Sequence, residues 1–289
     1  MAVTTENRRP IQQLDDDTIG HIAAGEVVER PAQVVKELVE NSIDAGASRI
    51  RVEIERGGFD RISVIDDGGG IPADELELAV TRHATSKLVT ANDLSAIHTL
   101  GFRGEALASI GMVSRLSVAS RTENSEGMRI GVDDGAKKPL EPAGIAPGTV
   151  IEVCNLFANI PARLSFQKRP STESAAIVDI VVSQALCNPI IGFTVNVDGR
   201  NVLETPPGVQ MSDRLFDLIG APAERLVSLQ CSDEDAEAPG DEQWSGWISP
   251  PDLTRSKSDE IHVIINGRPV AASPFNQAIR RGYHTRLMV

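Results

Sequence analysis

The sequence predicts an α+β fold in which helices lie on one side of a sheet. Segments with an apolar residue at every third or fourth position alternate with short runs in which every second residue is apolar, a pattern typical of such layers. The 289 residues include 41% hydrophobic and 24% charged side chains, enough to bury one large core or two modest ones. Glycines and prolines separate these segments, where the chain has to turn.

The N-terminal part begins with two predicted helices and a hairpin. The helices fall within residues 14–45, and the second has Pro31 in its first turn and Gly46 just past its end. The hairpin consists of a strand over residues 49–56, a turn at two glycines and a return strand into Asp66. Three glycines in a row then end the regular structure, so we expect a loop there.

Helices and strands continue to alternate up to about residue 200. Beyond the loop, the pattern predicts helices over residues 72–82, 105–111 and 171–186, and strands over residues 115–121, 149–153 and 193–197. In the long helix, the spacing predicts an apolar face made of Ala175, Val178, Val182 and Leu186. This arrangement fits a single layered domain.

The character of the chain changes after Pro206-Pro207-Gly208. The elements predicted beyond it are a helix over residues 214–219, a hairpin interrupted by an acidic loop, a strand over residues 261–266 and a helix over residues 274–283. We therefore expect two domains, one over residues 1–208 and a smaller one over residues 209–289. The acidic loop is predicted to be solvated and not a cation site, because clustered like charges without ligand spacing repel one another.

The composition excludes several classes of function. With 41 acidic and 28 basic residues, the formal charge is -13, so any contact with DNA has to come from a local basic patch. The five histidines and three cysteines lack the spacing of a zinc site or of a disulfide framework. Because neither a signal peptide nor a membrane span is visible, we expect a cytoplasmic protein. The acid excess and the scarcity of lysine indicate a salt-rich environment.

The helix that starts at Pro31 has a polar face that could carry chemistry. Because successive residues turn by about 100°, four polar residues share one arc opposite the apolar side chains: Glu37, Glu40, Asn41 and Asp44. The Asn41 carboxamide could ligate a hard cation while Glu37, one turn away, polarises a water molecule. Glu40 lies on the same face and is the alternative base. A polar surface that is merely solvated is the other interpretation.

Two glycine-rich loops could bind parts of a nucleotide. Asp66 follows a strand directly and precedes Gly68 and Gly70. Backbone without side chains lets a planar ligand approach, and the carboxylate can accept a hydrogen bond from an exocyclic amine such as that of adenine. The loop from Gly101 to Gly104 opens a helix, where backbone amides can bind an anion. Each loop alone could also be an ordinary turn, and neither a P-loop nor a Rossmann fingerprint is present.

Taken together, these segments resemble the GHKL ATPase superfamily in identity and order. The matching strings are Glu37-Leu-Val-Glu-Asn41, Asp66-Asp-Gly-Gly-Gly70, Gly101-Phe-Arg-Gly-Glu-Ala-Leu107 and Gly148-Thr149. Three further strings resemble the MutL family of DNA mismatch-repair proteins: His21-Ile-Ala-Ala-Gly-Glu-Val-Val-Glu-Arg-Pro31, Arg82-His-Ala-Thr-Ser-Lys87 and Asn159-Ile-Pro-Ala-Arg163. The resemblance implies a GHKL (Bergerat) ATPase α/β sandwich. The string Ile265-Asn-Gly-Arg-Pro269 resembles the family's transducer domain of ribosomal S5 domain 2-like fold, here truncated.

The resemblance implies roles for individual residues. Glu37 would be the general base that activates water, Asn41 would hold Mg²⁺ against the phosphates, and Asp66 would read the adenine amino group. The base would lie close to Gly68 and Gly70, with support from Thr149. The residues expected near the phosphates are Thr85, Ser86 and Lys87, and those expected in a lid over the nucleotide are Phe102, Arg103 and Gly104.

The resemblance also implies ligands and partners. ATP and Mg²⁺ would bind this site, and ATP binding would bring two N-terminal regions together as a homodimer. A MutS-type mismatch-recognition protein would be the protein partner. DNA would lie in a groove of the dimer, with the candidate contacts Arg163, Arg268, Arg280 and Arg281.

The implied function is a mismatch-repair ATPase, a clamp whose opening and closing are timed by slow ATP hydrolysis. Two alternatives remain: a nucleotide-binding module that does not hydrolyse ATP, and another GHKL branch such as a topoisomerase-like ATPase. The first arises because the family's His-Pro-Ala-Lys string, whose lysine reaches the γ-phosphate, does not occur in this sequence. We therefore expect an N-terminal fragment that lacks the family's C-terminal dimerisation domain.

Overall fold

The computed structural model describes residues 12–13, 15–87, 99–101, 104–230, 244–253 and 260–283. The helices in these ranges are α1 (Asp16–Val27), α2 (Pro31–Asp44), α3 (Leu76–Ala79), α4 (Ala106–Met112), α5 (Pro161–Ser165), α6 (Pro170–Cys187), α7 (Met211–Ile219) and α8 (Ser273–Tyr283). The strands are β1 (Arg49–Glu55), β2 (Arg61–Asp66), β3 (Arg115–Arg121), β4 (Met128–Asp133), β5 (Ala136–Lys137), β6 (Glu141–Pro142), β7 (Gly148–Cys154), β8 (Gly192–Val197), β9 (Arg200–Thr205), β10 (Val227–Gln230), β11 (Ser245–Ile248), β12 (Val263–Ile265) and β13 (Arg268–Val270). No helix within the described ranges is long and apolar enough to cross a membrane.

Most of the strands form one mixed sheet. Its order is β5-β4-β3-β7-β2-β1-β8-β9, and β6 pairs with β4 beside this path. Neighbouring strands are antiparallel except β1 and β8, which run parallel with Ile50 opposite Phe193. A parallel pair needs a long crossover connection, and the chain between these two strands ends with α6. In the strand order, β2 lies between β7 and β1, and β1 lies between β2 and β8, so both strands are inside the sheet. The chain enters β1 directly from α2.

The core lies between this sheet and α2. The residues of α2 on the predicted apolar arc are buried: Val34, Val35, Leu38 and Val39. They form one apolar cluster with inward-facing residues of the sheet such as Val52. Pro31 occupies the first turn of α2, as the sequence predicts. Because the apolar arc is fixed in the core, the orientation of the polar arc is fixed as well.

The β1–β2 hairpin turns at Gly57 and Gly58, as predicted. Their φ angles of 71° and 87° lie in the left-handed region that favours glycine. A Cβ on Gly57 would lie 2.6 Å from the carbonyl oxygen of Pro170, so the turn packs directly against the start of α6. The return strand β2 delivers Asp66 to a buried position at its end.

Two predicted helices differ from the structure. The helix predicted over residues 72–82 is the single turn α3, because little of this segment besides Leu76 and Val80 reaches the core to hold a longer helix. The helix predicted over residues 171–186 exists as α6, but of the predicted apolar face only Leu186 is buried. Its buried stripe is formed by Ile177, Val181, Gln184, Ala185 and Leu186, whereas Ala175 is exposed and Val178 and Val182 are half-buried. Apolar residues occur around much of α6, so their period does not select one face.

The structure also contains elements that the sequence did not reveal. β9 lies at the edge of the sheet with most of its residues exposed, so it lacks a clear apolar alternation. β4 was not predicted either, although it pairs with β3 along most of its length. The short helix α5 buries no residue fully, which explains why no apolar period marks it.

Within the described ranges, the elements after residue 208 are two α-helices, a short 3₁₀ helix over Ala221–Arg225 and two separate hairpins. β10 pairs with β11, and β12 pairs with β13. α7 is fastened to the end of the large sheet by the fully buried Arg214, whose Nη2 donates hydrogen bonds to the carbonyl oxygens of Pro189, Ile191 and Pro206. The predicted acidic loop, residues 233–242, lies outside the described residues.

Candidate functional site

The polar arc of α2 ends at a cluster of charged and amide groups. Lys87 reaches back to this arc: its Nζ donates a hydrogen bond to Asn41 Oδ1 at 2.8 Å and forms an ion pair with Asp44 Oδ2 at 2.5 Å. The side chains of Asp44 and Lys87 are only 8% and 20% exposed, so water screens their attraction weakly. The side-chain oxygens of Asn41 and Asp44 thus converge on one cationic group.

Asp44 also anchors a short turn over residues 99–101. Its Oδ1 accepts a hydrogen bond from the Leu100 amide at 2.9 Å, and its Oδ2 accepts one from the Gly101 amide at 3.1 Å. A Cβ on Gly101 would lie 3.3 Å from Lys87 Nζ and 3.5 Å from Asn41 Oδ1. The backbone of the turn therefore lies directly against the Lys87 cluster.

A second group lies where β2 ends and is also in contact with α2. Asp66 Oδ2 accepts a hydrogen bond from Ser42 Oγ at 2.7 Å, and Oδ1 accepts one from the Gly68 amide at 3.0 Å. The Thr149 amide is a third donor. Burial raises the pKa of Asp66, although these three hydrogen bonds act in the opposite direction. An ionised carboxylate has about four acceptor sites, so one remains for a further donor.

Asp67, the next residue, has a different task. Its Oδ1 accepts hydrogen bonds from the amides of Ser48 and Arg49, and its Oδ2 accepts one from the Ser48 hydroxyl. Burial alone would raise the pKa of Asp67, but these hydrogen bonds outweigh it and lower the pKa. Asp67 therefore fastens the start of β1 to the end of β2, while its neighbour Asp66 is the buried member of the pair.

The glycines after Asp66 are required by neighbouring backbone. A Cβ on Gly68 would lie 2.9 Å from the carbonyl oxygen of Ala45, just past α2. A Cβ on Gly70 would lie 2.2 Å from the carbonyl oxygen of Arg121, at the end of β3. Gly70 also has a φ of 72°, which other residues rarely adopt. The loop is thereby folded closely onto the ends of α2 and β3.

Thr149 lies opposite Asp66 in the pairing of β2 with β7 and is buried. Its Oγ1 is 3.0 Å from Ser120 Oγ, and Ser120 Oγ accepts a hydrogen bond from the Ile71 amide at 2.7 Å. Ser120 therefore connects Thr149 to the backbone that follows the three glycines.

The residues that lead to Lys87 are placed at the edge of the cluster. Thr85 Oγ1 accepts a hydrogen bond from the Lys87 amide at 3.1 Å, and Ser86 is exposed. Gly104 packs against this segment, since a Cβ there would lie 2.5 Å from the carbonyl oxygen of Ala84. The other two residues predicted for the lid lie outside the described residues: Phe102 and Arg103.

The two glutamates of the polar arc are in different surroundings. Glu40 is only 7% exposed and lies between Lys36 Nζ at 3.7 Å and Gln184 Nε2 of α6 at 3.2 Å. Burial raises the pKa of Glu40, and the charge of Lys36 opposes this rise. Glu37 is more exposed, and within the part of the chain that the structure describes no hydrogen bond or ion pair engages its carboxylate. Glu40 thus belongs to the contact between α2 and α6, whereas the Glu37 carboxylate is accessible to water.

The four arginines predicted to contact DNA are in two kinds of surroundings. Arg163 is half-buried and donates from Nη1 to the carbonyl oxygen of Val28 at 2.9 Å. Arg268 is also half-buried and donates from Nη2 to the carbonyl oxygen of Thr99 at 2.8 Å. The remaining two are exposed in the last turn of α8: Arg280 and Arg281.

Sequence reasoning missed three contributors to these groups. Ser42 lies on the buried side of α2 with the apolar residues, yet its hydroxyl donates a hydrogen bond to Asp66. The sequence places Asp44 on the polar arc but does not predict its contacts with Lys87 and the turn over residues 99–101. The spacing of Asp44 does carry a signal. A residue seven positions after Glu37 returns to nearly the same angle around the helix and so lies on the same face. Ser120 carries no local signal, since its partners lie 29 and 49 residues away in the sequence.

Two family models match separate parts of the chain. Residues 29–135 match the model described as histidine kinase-, DNA gyrase B-, and HSP90-like ATPase. This range contains α2, the Asp66 loop and Lys87. Residues 220–289 match the model described as DNA mismatch repair protein, C-terminal domain. The mixed sheet with α2 against it is thus a GHKL-type ATPase domain, which confirms the predicted fold class.

Relatives and solved structures identify the family within this class. Proteins named DNA mismatch repair protein MutL from Halobacterium salinarum and Acidiphilium cryptum are 44% and 45% identical over 96% of this chain. The chain belongs to the MutL family, as its motifs indicate. It spans 42% and 47% of the lengths of these two relatives, which is less than half.

Two solved structures are similar to most of the chain. One is the Aquifex aeolicus MutL ATPase domain complexed with ADP, which is 28% identical with a TM-score of 0.67 and 88% coverage of both chains. The other is the N-terminal domain of a DNA repair protein, 27% identical with a TM-score of 0.77, covering 92% of this chain and 82% of that one.

Proposed function

We propose that this chain is the ATPase part of a MutL-type mismatch-repair protein and that it binds ATP with Mg²⁺ along α2. The observation that carries the proposal is the convergence of Asn41 and Asp44 oxygens on the ammonium group of Lys87. Such a cluster holds both the oxygen ligands that a hard cation needs and a mobile positive charge for phosphates. The similar solved domain that contains ADP supports a nucleotide as the ligand.

The base end of the site consists of Ser42, Asp66, Gly68 and Thr149. Asp66 would accept a hydrogen bond from the adenine amino group with the acceptor site that its three protein donors leave open. Thr149 would support the same edge of the base, with its hydroxyl already held by Ser120. Gly68 and Gly70 would keep the loop surface free of side chains where the base lies.

The phosphate end of the site consists of Asn41, Asp44, Lys87 and the turn over residues 99–101. Its donor set fits Mg²⁺, because Asn41 Oδ1 already accepts a hydrogen bond from a cationic group. Asn41 would hold the ion, which when bound would neutralise charge on the phosphates. The Lys87 side chain would move so that its ammonium group donates to phosphate oxygens instead of Asn41. These phosphates would lie next to Thr85, Ser86 and Gly104.

Glu37 is the proposed general base. It lies one helical turn before Asn41, so its carboxylate is close to the place where the phosphates would meet the metal ligand. The carboxylate would orient a water molecule and take one of its protons as the water oxygen attacks the γ-phosphorus. The bond from the γ-phosphorus to the bridging oxygen would break at the same time, so that ADP leaves with the electron pair and inorganic phosphate is formed. Glu40 is a less suitable candidate, because its carboxylate is buried away from water and accepts a hydrogen bond from Gln184.

The wider role follows from the family. Residues 1–208 would form the ATPase domain and residues 209–289 a second domain. ATP binding would favour a dimer of two chains, which would act as a clamp that relays mismatch recognition by a MutS-type protein. DNA would contact the exposed Arg280 and Arg281, since the formal charge of -13 leaves only local basic groups for phosphates. Arg163 and Arg268 are the second, half-buried pair of candidates.

The test measures ATP binding and phosphate release side by side on the unaltered chain, Glu37→Ala and the matched control Glu40→Gln, all with Mg²⁺. We expect Glu37→Ala to bind ATP within a few-fold of the unaltered chain and to lose about a hundredfold or more in hydrolysis. Glu40→Gln keeps a group that can accept from Gln184, so its turnover should stay close to that of the unaltered chain.

Each other outcome has a distinct meaning. Binding without hydrolysis in all three proteins would favour the alternative of a nucleotide-binding module that does not turn over. Loss of turnover in Glu40→Gln with normal turnover in Glu37→Ala would reassign the base. Absence of ATP binding in the unaltered chain would leave only the fold in common with the family.

A further inference from the structure

Arg268 connects the hairpin of β12 and β13, here called the C-terminal hairpin, to the phosphate end of the proposed site. It follows Asn266 and Gly267, whose positive φ angles of 51° and 74° are those of a tight two-residue turn between β12 and β13. β13 also packs against α6. The Arg268 side chain is therefore presented from a hairpin that packs against α6, and its Nη2 donates to the carbonyl oxygen of Thr99 at 2.8 Å.

The turn that receives this hydrogen bond is braced from two sides. Within the turn, Thr99 Oγ1 donates to the carbonyl oxygen of Gly101 at 2.8 Å. On the side of α2, the Asp44 carboxylate accepts hydrogen bonds from the amides of Leu100 and Gly101. On the side of the hairpin, Arg268 holds the Thr99 carbonyl. The turn thus joins the C-terminal hairpin to Asp44.

Asp44 carries this connection to the proposed metal ligand. The same Oδ2 atom accepts from the Gly101 amide and from Lys87 Nζ. Lys87 Nζ in turn donates to Asn41 Oδ1. A shift of the turn would therefore change the position of the Asp44 carboxylate, and with it the position of the ammonium group beside Asn41.

We propose that Arg268 is a positioning residue of the nucleotide site, acting through the turn over residues 99–101 and Asp44 on Lys87. The inference rests on the function proposed for this site. Through these contacts the C-terminal hairpin would influence the phosphate end, and Arg268 would have a role that requires no DNA.

The charge of Arg268 suits this task. A hydrogen bond from a guanidinium to a carbonyl oxygen is stronger than one between neutral groups, and both partners are partly shielded from water. Burial raises the pKa of Glu40 on α2, and Arg268 is among the positive charges that oppose this rise. The guanidinium therefore lies near α2 as well as on the turn.

The test measures the dissociation constant of ADP at saturating Mg²⁺, without DNA, for the unaltered chain, Arg268→Ala, Asp44→Asn and the double variant. We expect Arg268→Ala to weaken ADP binding about five- to tenfold, because the turn loses one of its two supports. The double variant should bind ADP no more weakly than Asp44→Asn alone, since both changes cut one connection. Melting temperatures should stay within about 2 °C, which separates positioning from loss of fold.

Two further variants keep the test decisive. Arg225→Ala is the matched control, because Arg225 also belongs to the C-terminal elements but pairs with Asp252 there. Its ADP affinity should equal that of the unaltered chain. Arg268→Lys retains a cationic donor and should recover part of the affinity. If Arg268→Ala does not fold, Arg268→Lys and Arg268→Gln provide the same comparison with smaller changes.

The outcomes distinguish this inference from the function on which it rests. Unchanged ADP affinity in Arg268→Ala, or losses that add in the double variant, would overturn the inference and leave the proposed function intact. Weaker DNA binding with unchanged ADP affinity would make Arg268 a DNA contact instead. Failure of the unaltered chain to bind ADP would overturn the proposed function, and the inference with it.

Discussion

The two ends of the proposed nucleotide site are built from different interactions, although both rest on α2. At the base end, Asp66 is buried at the end of a strand and accepts hydrogen bonds from three neutral donors. At the phosphate end, the central contact is the ion pair between Lys87 and Asp44. One end is held by the sheet, and the other is assembled from a lysine and a turn that lie 43 and 56–57 residues after Asp44 in the sequence.

This difference indicates a division of labour. The base end is preorganised, because its donors are a helix hydroxyl and two backbone amides that already face one carboxylate. In the proposed site, the phosphate end would be exchangeable, since the ammonium group of Lys87 would leave Asn41 for a phosphate and make the Asn41 oxygen available to a metal ion. The base end would recognise the ligand, and the phosphate end would respond to it.

The largest expected effect is at the phosphate end. Asn41→Ala should reduce ATP hydrolysis about a hundredfold or more, because the proposed metal ligand is lost. ADP binding in the absence of Mg²⁺ should stay within about twofold, since the base end is intact. The measurements are phosphate release and ADP affinity with and without Mg²⁺. Asn201→Ala, on the exposed strand β9, is the control, and an equal loss of ADP affinity with and without Mg²⁺ would break the distinction between the ends.

At the base end, Asp66→Asn should weaken ADP binding about tenfold to a hundredfold, whether or not Mg²⁺ is present, because a charged acceptor is replaced by a neutral amide. Titration calorimetry of both conditions provides the measurement. The neighbouring Asp67→Asn is a matched control: its carboxylate ties Ser48 and Arg49, so the variant should melt at a lower temperature and bind ADP normally. Normal ADP affinity in Asp66→Asn would contradict the assignment of the base end.

As the pH falls, the base end should lose affinity for its ligand at a higher pH than the one at which ordinary aspartates take up a proton. Burial raises the pKa of Asp66, so its carboxylate takes up a proton at a higher pH than usual and loses an acceptor site for the base. The folded chain binds this proton more tightly than the unfolded chain, so Asp66 itself favours folding as the pH falls through the raised pKa. ADP affinity should therefore decline in this window while the chain stays folded.

The pH test is read against Asp66→Asn, which has no proton to gain at this position. The ADP affinity of this variant, although weaker, should not change with pH over the same window. An equal decline in the variant would place the titrating group elsewhere in the protein or on the nucleotide.

The smallest expected effect is that of salt, which should act on the whole chain and distinguish the two ends least. With a formal charge of -13, screening of the repulsion among acidic groups should raise the melting temperature by a few degrees in molar KCl. Thermal melts over a KCl series measure this. A melting temperature that does not change with KCl would remove the interpretation that the sequence is adapted to salt.

The local structure of the proposed base end could be predicted from the sequence because its signals are local. Asp66 directly follows an alternating strand and precedes Gly68, so one short window shows both the carboxylate and the loop that packs beneath it. The same holds for the apolar arc of α2 and for the β1–β2 hairpin, each of which is determined by spacing within about one element.

The phosphate end could be predicted only in part. The motif that contains Lys87 is visible in the sequence, but the ion pair of Lys87 with Asp44 depends on a contact that no local pattern shows. The burial of Glu40 depends in the same way on where α6 packs, and the buried face of α6 was itself predicted incorrectly. Tertiary contacts, not periodicity, decide which of the polar residues of α2 remain accessible.

A crystal structure of the chain with Mg²⁺ and a non-hydrolysable ATP analogue would test the central claim most directly. We expect the adenine amino group within hydrogen-bond distance of the Asp66 carboxylate, the metal ion on Asn41 Oδ1, and Lys87 Nζ moved from Asn41 to a phosphate oxygen. A nucleotide bound away from Asp66, or Lys87 still on Asn41 with the ligand in place, would contradict the division of the site into a fixed base end and an exchangeable phosphate end.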